Sequence, residues 1–271
     1  MKRPATDPTR EREEVASATE ALVANWTIPE VIPQGICTAI VPGTECLVGA
    51  RLLARTLHTA VLRSRPRTLV LVATGSGSVP KIRAMGGLTT TLGPSPIDER
   101  LAARIASFWP GEIEVIPDGE DEDSLPALHR IGPLLAQVLI PGCRIVPIEL
   151  PAEKTDDFDP IGVGKELGQQ LKFEYGCFLL ASCTLFSRKI DDSQQPISEQ
   201  IREDATVLKH LLEPQLNRLS EQIVETGLPH STPMVLAMAH ALERERESGH
   251  LLEHGVVESD GDQFGAAAIV L

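Results

Sequence analysis

Thr68-Leu69-Val70-Leu71-Val72-Ala73-Thr74-Gly75-Ser76-Gly77-Ser78 is the stretch on which the reading of this chain turns. Residues 68–74 are β-branched or aliphatic almost throughout and do not alternate with polar residues. An apolar run without alternation fits a strand buried on both faces, as in the middle of a parallel sheet. It ends in a small, polar, glycine-containing loop. In open α/β sheets ligands bind in the crevice outside the carboxyl ends of such strands, so a site centred on Thr74–Ser78 is expected. The loop reads either as an anion nest or as a tight turn. It is neither Gly-x-x-x-x-Gly-Lys-[Ser/Thr] nor Gly-x-Gly-x-x-Gly, since Lys81 follows Pro80 directly.

Working outward, strand and helix signals alternate. Residues 1–8 form a charged tail expected to be disordered, and 9–271 a single domain. Thr9 caps a helix over Arg10–Asn25, Thr38–Pro42 is a buried strand, and Leu47–Arg63 is a helix with Leu52, Leu53, Leu57 and Val61 inward. Lys81–Pro96 reads as irregular loop. Asp98 caps a helix over Glu99–Phe108, Glu112–Pro117 alternates as a strand, and a helix covers Leu125–Val138. Arg144–Leu150 and Cys177–Thr184 read as strands around a helix over Pro160–Lys172. Helices over Glu199–Leu212, Pro214–Glu225 and His230–Glu247 precede a closing strand pair, His250–Glu258 with Phe264–Leu271. The class is α/β: one domain with a mostly parallel central sheet flanked by helices and an antiparallel C-terminal strand pair.

Composition narrows the partners. The net charge of −13 argues against nucleic acid and against anionic membrane surfaces, because phosphate neutralisation needs clustered Lys and Arg. No apolar run approaches the length of a membrane span. Five cysteines without a Cys-x-x-Cys pair or a secretory leader place the chain in the reducing cytoplasm. A small molecule or a protein is the expected partner.

Individual residues carry little chemistry. The acidic run Asp118, Glu120, Asp121, Glu122 and Asp123 lacks the spacing of a calcium loop and reads as a solvated turn before a helix. Cys183-Thr184 at the end of a buried strand is either a nucleophile pair or core. No His-x-x-x-His or Gly-x-Ser-x-Gly occurs. His230 stands just before a helix start.

Taken in order, these stretches resemble the Memo family, the B proteins of AmmeMemoRadiSam systems. Ala39-Ile40-Val41-Pro42-Gly43-Thr44-Glu45-Cys46 is similar to that family's strand ending in Pro-His-Ala-Gly-Tyr. Leu71–Ser76 is similar to its Gly-Pro-Ser-His, and Thr91-Leu92-Gly93-Pro94-Ser95-Pro96-Ile97-Asp98 to its Pro-Leu-Gly-x-x-Pro-Val-Asp. Glu122–Leu128, Leu179–Ser187, Pro233–Leu242 and Gly265–Ala268 follow further segments in register. The resemblance spans Ile32–Leu271. It implies the fold of class III extradiol dioxygenases and, in ordinary members, an iron or zinc site built from histidines and a cysteine.

At the matching positions this chain has Gly43, Ser76, Gly119, Ser187 and Pro229, with Thr184 in place of an aspartate. Glycine and proline offer no side-chain ligand and serine is a poor one, so no metal cofactor is expected. The resemblance therefore implies a divergent member with a degenerate metal site that binds a small molecule or protein in the cleft. The alternatives are a metal-independent enzyme rebuilt there or, less in keeping with the residues, a non-haem iron dioxygenase-like enzyme. Candidate catalytic residues are Glu45, Cys46, Glu122, Thr184 and His230; candidate ligand-binding residues are Gly43, Thr74, Ser76, Ser78, Cys183 and Ser187. A carboxylate such as Glu45 would serve as general base if burial raised its pKa.

Overall fold

The computed structural model describes residues 8–116, 125–151, 158–185, 187–189, 197–226, 228, 231–259 and 262–271. Residues 1–7 of the expected tail, the acidic turn Asp118–Asp123 with Glu122, and Gly119, Pro229 and His230 lie outside them.

Among the described residues, eleven strands and eight helices follow one another along the chain. In order they are α1 (Pro8–Val23), β1 (Thr38–Pro42), α2 (Leu47–Arg63), β2 (Thr68–Thr74), β3 (Lys81–Arg83), β4 (Gly87–Leu88) and β5 (Ser95–Pro96). Next come α3 (Glu99–Phe108), β6 (Glu114–Ile116), α4 (Ala127–Leu139), β7 (Arg144–Leu150), α5 (Pro160–Leu171), β8 (Cys177–Cys183) and β9 (Ser187–Lys189). The chain closes with α6 (Ile197–Leu212), α7 (Leu216–Thr226), α8 (Thr232–Glu243), β10 (His250–Ser259) and β11 (Asp262–Val270).

The main sheet runs β10-β11-β1-β8-β2-β7-β3-β6, with β9 on β11. Its core β1-β8-β2-β7 is parallel, and β11 joins β1 antiparallel with Ala39 opposite Val270. As expected, β2 lies mid-sheet: Leu69 through Ala73 are wholly buried between β8 and β7. Helices α1, α2 and α4 pack on one another on one face, and α5, α7 and α8 on the other. Because α8 is buried from Pro233 to Ala241, it is apolar all round rather than amphipathic.

Local chemistry explains the helix starts. Asp98 accepts from the Leu101 amide at 3.1 Å and Asp159 from the Ile161 amide at 3.0 Å, each satisfying a donor the helix leaves orphaned. Two expectations need correction. Lys81–Pro96 is not all loop, since β3 extends the main sheet and β4 pairs with β5. Helix α1 begins at Pro8, so Pro8 belongs to it and not to the tail, and Thr9 does not cap it. Among the described residues no helix is long and apolar enough to cross a membrane.

Candidate functional site

The carboxyl ends of β1, β2 and β8 open on a common cleft of about 140 Å³. Its wall consists of Gly43 after β1, Thr74 ending β2, Ser182, Cys183 and Thr184 at the end of β8, and Pro126, Ala127 and Leu128 at the start of α4. Parallel pairing brings these residues together: Pro42 stands opposite Cys183, and the Gly43 amide donates to the Cys183 carbonyl at 3.2 Å. Four residues expected at a site, Gly43, Thr74, Cys183 and Thr184, meet here.

Among its described residues the cleft is polar without being charged. The Thr74 Oγ1 is buried with no hydrogen-bond partner, and a buried hydroxyl left unpaired is costly. Pro126 sits at the N-cap of α4 and has no side-chain oxygen to offer. Among the described residues the Ala127 and Leu128 amides have no acceptor, while that of His129 bonds the Pro126 carbonyl at 2.9 Å. A helix start with unfilled amides carries partial positive charge and favours anions. No Asp or Glu is in the wall among the described residues.

Cys183 is not set up as a nucleophile. Burial, with Asp204 nearby, pushes its thiol up to about 12, and its Sγ lies 3.5 Å from the Met234 sulfur. A reactive cysteine needs thiolate character. Cys46 serves the fold instead, as the N-cap of α2, its Sγ accepting from the Gly49 amide at 3.3 Å. Glu45 pairs with Arg130 at 2.5 Å, and both side chains are 45% exposed. Glu45 is therefore a solvent-facing group outside the described cleft wall. A pair this exposed contributes at most about 1 kcal/mol, and Glu45→Ala should shift urea-unfolding stability by no more than that.

Ser76 and Ser78 lie outside the cleft wall, on the loop beyond the end of β2. The glycine between Thr74 and Ser76 has a packing reason of its own. A Cβ on Gly75 would come within 2.4 Å of Glu149 Oε2 and 3.0 Å of Glu149 Cβ, so Gly75 makes room for that side chain. Ser187 opens β9, where its backbone pairs with that of Phe264 in β11.

Beside the cleft lies a buried histidine whose place the sequence does not announce. His129 is 1% exposed, and its Nε2 lies 3.0 Å from the Leu71 carbonyl. A carbonyl can only accept, so Nε2 carries the proton. Nδ1 then faces Glu149 Oε1 at 3.9 Å. Burial, aided by Arg83, lowers the His129 pKa to about 4, so this is a neutral imidazole beside a carboxylate and not an ion pair at pH 7. Ser182 and the α4 start are likewise not flagged by the sequence. The one signal is the polar Ser-Cys-Thr that ends an otherwise apolar strand.

The described donors do not fit iron or zinc. They are hydroxyls and a thiol held protonated, whereas those metals take thiolate, imidazole and carboxylate. No cluster of three His, Cys, Asp or Glu suited to a metal occurs among the described residues.

No protein-family model matches the sequence, and no curated protein matches it. Among solved structures the chain is similar to an uncharacterized protein from Escherichia coli K12. The match has 16% identity and a TM-score of 0.47, and covers 87% of this chain and 99% of that one.

Proposed function

We propose that this chain is a divergent Memo-like protein whose cleft, at the carboxyl ends of β1, β2 and β8, binds a small anion of carboxylate size without a metal. One observation carries the reading: Thr74, whose buried hydroxyl has no partner, and Ala127 and Leu128, whose amides have no acceptor among the described residues, line one small space with no acidic side chain among its described wall residues. A cavity of about 150 Å³ accommodates a benzene-sized molecule, so the 140 Å³ cleft suits an occupant of a few heavy atoms. For so small a ligand a dissociation constant of about 1 mM, or about −4 kcal/mol, is reasonable.

Binding is favoured over rebuilt catalysis by the state of the candidate groups. Cys183 is a buried thiol with its pKa pushed up to about 12, and Glu45 is a solvent-facing member of an ion pair. Five free cysteines agree with a cytoplasmic setting. Neither nucleic acid nor membrane belongs among the proposed partners.

Gly43 provides the test. The described atoms nearest to a Cβ there would be Ser182 Cβ at 3.5 Å, Ser182 Oγ at 3.7 Å and Thr184 Oγ1 at 3.8 Å, all ordinary contact distances. Gly43→Val therefore fills the cleft while the fold stands. Titration calorimetry with formate, acetate and glycolate should give saturable binding to the native chain that Gly43→Val loses. Absence of saturable binding to the native chain, or equal binding to the variant, would overturn the reading.

A further inference from the structure

The opposite end of the same strands bears a different feature. Two adjoining hollows, of about 400 and 690 Å³, open at the amino ends of β2, β7 and β8 and share Pro66, Glu174, Tyr175 and Cys177. Arg67, Arg100 and Arg144 line one, and Arg63, Arg65, Lys172, Arg244 and Arg246 line the other, against only Asp98 and Glu174 among the described residues. Eight cationic groups against two acidic ones give a local surplus of six positive charges, on a chain whose total is −13. The concentration on one face is the reverse of what the overall balance would place there.

Part of this charge is used within the fold. Glu174 is clasped by Arg100 at 2.9 Å and by Arg104, and Lys172 pairs with Glu245 at 2.6 Å. Arg244 donates to the Leu171 carbonyl at 3.0 Å, and Arg246 to that of Gly35. Arg65, Arg67 and Arg144 make no side-chain hydrogen bond or ion pair among the described residues. Arg67 and Arg144 stand at the starts of neighbouring parallel strands, joined by a 2.9 Å bond from the Arg144 amide to the Arg67 carbonyl. Gly176, at φ 80°, gives passage to the Arg67 stem, since a Cβ there would lie 3.1 Å from Arg67 Cγ.

Arg65 sits at φ 51°, in the left-handed region, where glycine is the inexpensive choice at the end of a helix. Asn25 and Glu245 take the same conformation after α1 and α8, so Arg65 is singled out by its guanidinium, which has no partner among the described residues, and not by its backbone. Tyr175, the chain's single tyrosine, is 91% exposed on the rim shared by both hollows. Guanidinium forks recognise phosphate oxygens, and an open aromatic face stacks a base. We propose that the two adjoining amino-end hollows together bind a nucleotide, its phosphates held by Arg65 of one and by Arg67 and Arg144 of the other, and its base stacked on Tyr175, which both share. A long polyanion fits less well, because the rest of the −13 surface would repel it.

Titration calorimetry of the full chain in 0.15 M NaCl with ATP, pyrophosphate, adenosine and single-stranded oligo(dT) separates the contributions. ATP should bind saturably and about tenfold more tightly than pyrophosphate, and adenosine barely at all. Arg65→Gly, which relieves the left-handed backbone, should raise the melting temperature and weaken ATP about tenfold. Tyr175→Ala should bring ATP down to the level of pyrophosphate. Three results would overturn the proposal: no saturable ATP binding, ATP binding unaffected by Arg65→Gly and Arg67→Ser, or oligo(dT) binding more tightly than ATP.

Discussion

Acidification from pH 7 to pH 4.5 should remove several kcal/mol of folding stability, most of it through two buried histidines. His240 is 2% exposed in α8, with Nδ1 at 2.7 Å from the Thr38 hydroxyl, and burial together with Arg244 lowers its pKa to about 3. His129 lies on the other face of the sheet with a pKa lowered to about 4. In the unfolded chain both titrate near 6.5. Below that value the unfolded state takes up protons that the folded state refuses, so stability is complete above pH 6.5 and falls as pH drops toward the folded values. Each group contributes a slope of about 1.4 kcal/mol per pH unit in that window. Across two units, each histidine accounts for about 2–3 kcal/mol. That is a large share of the 5–15 kcal/mol typical of a folded domain.

The window also isolates the effect. The Glu174 carboxylate, which Arg100 holds below its ordinary range, loses its contribution only as pH falls through the ordinary carboxylate range and below. Urea unfolding at half-unit steps from pH 7 to 4.5 measures the slope. His240→Gln retains a group able to bond Thr38 and should flatten the curve by about 1.4 kcal/mol per unit. Equal stability at pH 7 and 4.5, or an unchanged slope in the variant, would show that these imidazoles do not resist protonation.

Adding side-chain bulk at the α5–α8 contact should be nearly as damaging. A Cβ on Gly164 would lie 2.4 Å from the Leu236 carbonyl oxygen and 2.8 Å from Ala239 Cβ. On Gly168 it would lie 2.6 Å from Glu243 Cβ and 2.9 Å from the His240 oxygen. These obstacles are backbone or Cβ atoms of a buried helix and cannot rotate aside. Helix propensity alone favours replacing glycine, by about 1 kcal/mol for alanine. Overpacking of a rigid contact costs about 1–3 kcal/mol or more, and here it decides the sign. Gly164→Val should lose about 3 kcal/mol in denaturant unfolding, and Gly168→Val a similar amount. Gly255 has nothing within 4 Å of where a Cβ would stand and no positive φ, so it serves as control: Gly255→Ala should change stability by less than about 0.5 kcal/mol. A Gly164→Val variant as stable as the native chain would mean that α5 does not approach α8 this closely.

Much of the architecture is legible because it rests on local patterns. Thr68–Thr74 reads as a central strand because nothing polar interrupts its apolar run, and the closing hairpin follows from two strand-like runs around a short polar loop. The strands within Lys81–Pro96 are not legible, since segments of two or three residues are too short to show a period. The cleft divides in the same way. Gly43, Thr74, Cys183 and Thr184 can be placed because each lies at the end of a readable strand. Ser76 and Ser78 are expected with them from their position in the chain, but β2 stops at Thr74 and the two serines fall beyond the cleft wall. The contribution of Ala127 and Leu128 depends on α4 swinging its amino end against β2 and β8, a long-range arrangement without local signature. Likewise Gly75 looks like part of a phosphate cradle until Glu149, a partner from β7, is seen to fill the space a side chain would need.

The central claim concerns what the cleft accepts, and the backbone amides of Ala127 and Leu128 report on it directly. In an amide-resolved NMR titration with acetate at constant ionic strength, these two signals should shift saturably, with a midpoint of about 1 mM, while amides at the amino ends of the strands stay still. Gly43→Val should abolish the shifts. Unmoved Ala127 and Leu128 amides at saturating acetate, or shifts spread evenly over the surface, would contradict an anion site at the carboxyl ends of β1, β2 and β8.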